Sequence, residues 1–307
     1  MAKNIGVGDA VFTTNFSYFA TTEVISLVGA TPVFIDVNDR NFNINPDMLE
    51  FGIKEVLKKG KLVPKAIIAV DLFGQLADYD KIQNIAKKYN LFLIEDAAQS
   101  FGATYKEQRS CSFGDVSSTS FFPSKPFGCY GDGGAIFTND SELAELCRSI
   151  RVHGQGVDKY DNVRIGLNSR LDTLQANVLL NKFNIFADEL IARNKCANYY
   201  SQKISQYLVV PNIENDNISA WAQYSLLAKN EEERDSLIKY LKSKNIPSAI
   251  YYKKIFSKLE LYKNLECASY PVSEDLSKRI FSIPMHPYLT DSDLDEIIFS
   301  IIEFFEL

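Results

Sequence analysis

Histidine is scarce in this chain of 307 residues: there are two, His153 and His286, alongside one tryptophan and three methionines. Two distant histidines leave little from which to build a zinc site or a serine–histidine triad, and no metal site is expected. No apolar run is long enough to cross a bilayer, and no signal-peptide pattern is visible. The net charge is −6 with no block of basic residues, so neither nucleic acid nor a membrane is an expected partner. Five cysteines, at positions 111, 129, 147, 196 and 267, show no paired spacing, which predicts reduced thiols in a cytoplasmic protein. What is there is an ordinary globular mixture, 46% hydrophobic and 23% charged, long enough for one large domain or two unequal ones.

The first two thirds alternate strand and helix signals. Residues 66–70 form a short, wholly apolar run, as a buried parallel strand requires. Residues 78–89 follow with helical spacing of Tyr79, Ile82, Ile85 and Ala86. Residues 91–94 are a second apolar strand, ending at Glu95-Asp96. Further strands are predicted at 32–35, 117–122 and 135–138. Asn45-Pro46 opens one helix, and Asp140 or Ser141 caps another that ends near Ile150. Residues 171–204 read as one long helix, with Leu174, Val178, Leu179, Phe183, Phe186 and Leu190 spaced for burial. Beyond it come a strand at 222–228, a helix at 231–244, a strand at 248–252, a loop and two C-terminal helices. The expected fold is α/β: a large domain over 1–185 with a mostly parallel, doubly wound sheet, and a smaller C-terminal α/β domain over 186–307.

The stretch 120–134, SFFPSKPFGCYGDGG, places Lys125 between an aromatic run and four closely spaced glycines. A lysine amine is a nucleophile only when neutral, and burial in an apolar, backbone-crowded site lowers its pKa. Such a lysine suits Schiff-base chemistry with a carbonyl substrate or with pyridoxal phosphate. Taken alone, a solvated surface lysine is the commoner case. Asp96 ends a buried strand, where open α/β sheets bind ligands. A carboxylate there can hold a pyridine nitrogen protonated, and capping a helix is an equal alternative. Ser120, at a strand end before the lysine loop, is placed for a phosphate. The small Ala97-Ala98 pair lets a flat ring approach the backbone.

Together these motifs resemble the DegT/DnrJ/EryC1/StrS sugar aminotransferases, which are fold-type I pyridoxal-phosphate enzymes. The resemblance runs from Gly6-Val7-Gly8-Asp9 and residues 13–21 through Glu95-Asp96-Ala97-Ala98-Gln99-Ser100 and the lysine loop. It continues through Arg151-Val152-His153-Gly154 and residues 166–172 to Pro284-Met285-His286-Pro287. The lysine loop and residues 168–172 look closest to members that aminate the 3-keto position of UDP-linked 2-acetamido-hexuronic acids. The resemblance implies that Lys125 carries the cofactor and shuttles a proton, Asp96 pairs with the pyridinium nitrogen and Gln99 bonds the ring's phenolic oxygen. Tyr18 and Ala98 would cover the two ring faces, and Ser120 would bind the phosphate. Asn168 would reach the phosphate of a neighbouring subunit, implying a homodimer with shared active sites. Arg170 would take the substrate's carboxylate, its alternative being a salt bridge to Asp172. Tyr251 and Tyr252 occupy the substrate-side loop, or are simply strand-end aromatics. A lysine rather than a histidine at position 125 favours transamination over dehydration. The partners implied are a nucleotide-sugar and an amino-acid donor, with glutamate expected, in surface polysaccharide biosynthesis.

Two departures from the family pattern are visible. Full-length members carry several tens of residues before the point matched by Met1, including a phosphate-holding loop at a helix N-terminus. A truncated, catalytically impaired remnant or partner subunit is therefore the competing expectation. Residues 252–257, YKKIFS, lack the prolines and histidine usual in the substrate loop. A third reading, a sulfur-transferring lyase, needs a catalytic cysteine, and Cys129 fits better as a packed neighbour of the glycine turn.

Overall fold

The computed structural model describes residues 1–306 apart from Lys159, Asn215 and Cys267, so the expectation for the Cys267 thiol lies outside the described residues. In chain order the first half runs β1 (Asp9–Thr14), α1 (Ala20–Leu27), β2 (Thr31–Ile35), α2 (Pro46–Lys59), β3 (Val63–Val70), α3 (Tyr79–Tyr89) and β4 (Phe92–Asp96). A short hairpin, β5 (Thr104–Tyr105) and β6 (Gln108–Arg109), precedes β7 (Val116–Ser120), β8 (Gly134–Phe137) and α4 (Ser141–Ile150). The second half holds α5 (Thr173–Phe183), α6 (Phe186–Ile204), β9 (Asn217–Ile218), β10 (Tyr224–Leu227), α7 (Glu231–Ser243), α8 (Pro271–Arg279), β11 (Ile280–Ile283) and α9 (Asp291–Glu306).

Among the described residues the main sheet has six strands in the order β2-β1-β3-β4-β7-β8. All neighbours pair in parallel except β8, which runs antiparallel to β7. Successive side chains of β3 face opposite ways. Ile67 and Ala69 join Leu49 and Ile53 of α2 and Ile82 of α3 in one core. Ala66 and Ile68 join Val11 and Ile25 of α1 on the other face. Helices thus cover both faces, as a doubly wound sheet requires. The expected caps hold: Asn45 Oδ1 accepts from the N–H groups of Asp47 and Met48, and Asp140 Oδ1 from those of Glu142 and Leu143.

The second half builds its own core. Strands β10 and β11 pair antiparallel, and Tyr200, Tyr224, Leu237, Phe281 and Ile297 pack around them from α6, α7 and α9. Strand β11, between the two C-terminal helices, is absent from the sequence reading because its partner lies more than fifty residues upstream. Glu231 to Glu233 open α7, where Glu233 accepts the Lys229 N–H and Glu231 pairs with the buried Arg234.

Two expectations are corrected. The single long helix over 171–204 is two helices, broken at Asn184-Ile185 without glycine or proline. The break changes the phase of the apolar stripe: Leu179 and Phe186 are buried, while Leu174 is 79% and Phe183 62% exposed. The strand expected at 248–252 reduces to one bridge, Ala249 to Ser282. The chain then leaves the sheet and packs Tyr251 and Tyr252 against the core that holds Phe16 and Phe34.

Candidate active site

The C-terminal ends of β3, β4 and β7 and the turn before α1 enclose a cavity of about 260 Å³, lined by Tyr18, Thr21, Asp96, Ala98, Gln99, Ser118 and Lys125 among others. Asp96 Oδ2 accepts the Thr21 hydroxyl at 2.8 Å and Oδ1 accepts the Ala98 N–H at 3.2 Å. Burial pushes the Asp96 carboxyl above its usual range, while Thr21, the Ala98 amide and the Lys125 ammonium pull it back. Burial lowers the Lys125 amine, and Asp96 opposes that shift. The cavity therefore holds an amine biased toward its neutral, nucleophilic form and a carboxylate that a cationic ring nitrogen would stabilise.

The lysine loop folds back on itself. The Lys125 N–H bonds the Phe122 carbonyl at 2.9 Å, Cys129 N–H the Phe121 carbonyl at 2.7 Å and Phe121 N–H the Gly133 carbonyl at 2.8 Å. A Cβ at Gly128 would lie 2.6 Å from the Phe122 oxygen, so only glycine fits this crossing. Helix α5 holds the loop from outside: Gln175 Oε1 accepts the Tyr130 N–H at 2.8 Å, and Lys182 Nζ donates to the Gly128 carbonyl at 2.7 Å. Cys129 is 1% exposed, with its thiol spent on the Phe121 and Gly131 carbonyls, as a packed residue rather than a nucleophile.

The opposite wall rests on the residues that follow β3. Gln99 Oε1 accepts the Phe73 N–H at 2.6 Å, and Gln99 Nε2 donates to the Tyr252 hydroxyl at 3.2 Å. Beneath lies Asp71, wholly buried, which accepts from Ala77 N–H, the Tyr79 hydroxyl at 2.8 Å and the Ser100 hydroxyl at 2.7 Å. Glu95, equally buried, accepts from Cys111 and Phe113 N–H groups. Burial pushes both carboxyls up; the neighbouring Glu95 charge raises Asp71 further, whereas the Phe113 and Cys111 N–H groups and the contact with Asp71 pull Glu95 back.

The remaining expected residues, Ser120, Asn168, Arg170, Tyr251 and Tyr252, are not part of this cavity's lining. Ser120 shares a strand face with Ser118, and its Oγ accepts the Phe122 N–H at 3.2 Å, leaving its own proton to donate. Asn168 and Arg170 line a separate open cleft of about 1360 Å³, which meets the first cavity at Ser118. There Arg170 Nε donates to Asn168 Oδ1 at 2.9 Å, a partner other than Asp172. Tyr252 stands behind Gln99, its ring 6.3 Å from that of Tyr18, and Tyr251 packs beside it. His286 Nδ1 accepts the Tyr288 N–H, and the His153 N–H bonds the Leu167 carbonyl. Sequence reasoning missed Thr21, Ser118 and Phe73. The alternation of Ser118 with Ser120 was a usable signal, whereas Thr21 and Phe73 reach the site only through long-range folding.

The model of the DegT/DnrJ/EryC1/StrS aminotransferase family matches residues 1–302. The chain belongs to that family. It is 46% identical over 295 residues to the UDP-2-acetamido-2-deoxy-3-oxo-D-glucuronate aminotransferase of Pseudomonas aeruginosa, covering 96% of this chain and 79% of that one. A crystal structure of a family aminotransferase from Brucella abortus superposes with a TM-score of 0.97 at 50% identity, covering 99% of this chain and 81% of that one. The putative sugar aminotransferase Spr1654 from Streptococcus pneumoniae, in its PLP form, gives a TM-score of 0.89 at 27% identity, with 99% of this chain and 82% of that one covered. The protein is thus a pyridoxal-phosphate-dependent aminotransferase of α/β fold. The residues present fit the cofactor: one cavity joins a hydrogen-bonded carboxylate, an amide N–H donor and a lysine amine whose pKa burial lowers. Among the described residues no helix is long and apolar enough to cross a membrane.

Proposed function

We propose that the protein transfers an amino group from an amino-acid donor, glutamate, to the keto carbon of a nucleotide-linked sugar of the UDP-3-keto-hexuronic acid type. The observation that carries this reading is the convergence of Asp96, Gln99 and Lys125 on one small cavity. The likeness to the Pseudomonas enzyme supports the substrate class. When bound, the pyridoxal ring supplies an electron sink that stabilises negative charge on the substrate carbon.

The chain's own groups do the rest. Lys125 would hold the cofactor, and its Nζ would carry the proton to and from the substrate carbon. Thr21 and the Ala98 amide hold the Asp96 carboxylate, which would pair with the ring nitrogen, and favour its charged form against burial. Tyr18 and Ala98, which line the cavity, would cover the ring faces, and the Ser120 hydroxyl would donate to the phosphate. Asn168 acts across a homodimer interface on the partner's cofactor phosphate. Arg170 recognises the sugar carboxylate with its guanidinium fork, and Tyr251 borders the sugar. Residues 1–185 act as the cofactor-binding domain and 186–307 as the smaller one, in the cytoplasm.

The test is spectroscopic and chemical. Protein supplied with pyridoxal phosphate should turn yellow, and borohydride should fix the label on Lys125, as peptide mass mapping reads. Glutamate and a UDP-linked 3-keto-hexuronic acid should then yield 2-oxoglutarate and the amino sugar. A protein that stays colourless with excess cofactor would exclude this function. A coloured protein that aminates only neutral keto sugars would exclude the uronic acid assignment.

A further inference from the structure

Gln99 is fixed at both ends of its amide. A backbone N–H can only donate, so the atom that receives Phe73 N–H at 2.6 Å must be Oε1. That leaves the NH₂ end as the cavity-facing group, with two hydrogens. One goes to the Tyr252 hydroxyl at 3.2 Å. The other is left for the cavity that Gln99 lines.

The anchor is built with some care for direction. Phe73 sits in the left-handed region at φ 58°, in the turn whose N–H meets Gln99. The preceding Leu72 N–H is taken by Asn43 Oδ1 at 2.8 Å, and the Phe73 carbonyl accepts Ala222 N–H at 3.1 Å. Tyr252 is held edge-on to Phe16, with ring centroids 5.9 Å apart, and lies 6.3 Å from Tyr18. Its hydroxyl is therefore presented to Gln99 by packing.

We propose that the Phe73 amide and the Tyr252 hydroxyl are positioning groups that hold Gln99 as an obligate hydrogen-bond donor to the ring's phenolic oxygen, so that Tyr252 acts on the cofactor wall through Gln99 rather than on the sugar. This rests on the function proposed above. A donor at that oxygen stabilises its anionic form and weakens its hold on the neighbouring proton of the link to Lys125. Losing the donor should raise the pH at which the bound chromophore changes colour. The other groups facing the cavity are Asp96 from β4, Lys125 from the lysine loop and Tyr18 from the segment before α1, and all three stay in place in the variants below.

The experiment is an absorbance–pH titration of the cofactor-loaded protein. Gln99→Glu keeps both anchors, since its carboxylate can accept from Phe73 N–H and from the Tyr252 hydroxyl, yet presents charge to the phenolic oxygen. Its midpoint should rise by more than about one pH unit, a tenfold change in proton affinity. Tyr252→Phe keeps the ring packing and should raise the midpoint by about two- to fivefold in the same terms, with KM for the sugar unchanged. An unchanged midpoint in Gln99→Glu would overturn the donor assignment. An unchanged midpoint in Tyr252→Phe with a raised sugar KM would make Tyr252 a substrate contact. A wild-type protein that never colours removes the underlying function instead, and so is told apart from either result.

Discussion

The two walls of the cofactor cavity are held in different ways. The wall carrying Asp96 and Gln99 is tied into the interior: Thr21, the Ala98 and Phe73 amides and Tyr252 all bond to it, and Asp71 and Glu95 lie buried beneath. The wall carrying Lys125 is a loop closed on itself and braced by α5 through Gln175 and Lys182. Outward, α5 shows apolar side chains, with Leu174, Leu180 and Phe183 79%, 71% and 62% exposed. One wall is thus made by the core, and the other depends on a helix whose outer face is uncovered in the single chain. Asp96 and Gln99 are fixed by bonds to the core, while the Lys125 loop depends on its own turns and on α5.

The comparison can be broken at its reactive end first. Lys125→Ala should lower transamination by at least about 10³-fold, since it removes the proposed nucleophile and proton carrier, while melting temperature stays close to that of the parent. Asp96→Asn should follow, with turnover down by about 10²-fold and the protein still folded by circular dichroism. A variant of Asp96 that unfolds would instead place this residue among the structural supports of its wall.

Deeper in the same wall, Tyr79→Phe removes the hydroxyl that Asp71 accepts but keeps the ring stacked on Phe113, 4.3 Å centroid to centroid. It should cost about 1–3 kcal/mol in chemical denaturation, the loss of one of the three hydrogen bonds to a buried acid, since Asp71 Oδ1 keeps the Ala77 N–H. The buried acids also set a pH dependence. Burial raises Asp71 and Glu95, so the folded state favours their protonated forms. That contribution is complete below the ordinary carboxylate range near pH 4 and is lost as pH climbs through the raised values. Asp71→Asn carries no such proton, and melting curves across pH should show it losing less stability than the parent toward alkaline pH. The smallest effect belongs to the brace: Gln175→Ala should cost about 1 kcal/mol and loosen the lysine loop, read as faster amide exchange at Tyr130.

The same contrast explains what the sequence could and could not disclose. Strands β3 and β4 and helices α2, α3 and α4 announce themselves through contiguous apolar runs and Asn or Asp caps, signals that act within a few residues. Lys125, Asp96 and Gln99 stood out for the same reason, each in a local motif at or just beyond the end of β4 or β7, and the fold brings all three to one cavity. The break at Asn184-Ile185 carries no glycine or proline and is set by where α5 and α6 pack. Residues 248–252 have strand-like composition, yet Tyr251 and Tyr252 gain more by packing near Phe16 and Tyr18 than by extending the sheet. Thr21 meets Asp96 across 75 positions of sequence, and no spacing rule reaches that far.

Gly74, at φ 101°, has a further consequence. A Cβ there would lie 2.6 Å from the Trp221 nitrogen, while the carbonyls of Gly74 and Phe73 take the Ala220 and Ala222 N–H groups. Two stretches of chain some 150 positions apart are thereby spliced at a single crossing. Insertions and deletions in a lineage should be excluded from 72–75 and 219–222 alike, and be tolerated at the exposed turn of the β5–β6 hairpin. The crossing works as a fixed mark against which the lengths of both halves of the gene are measured.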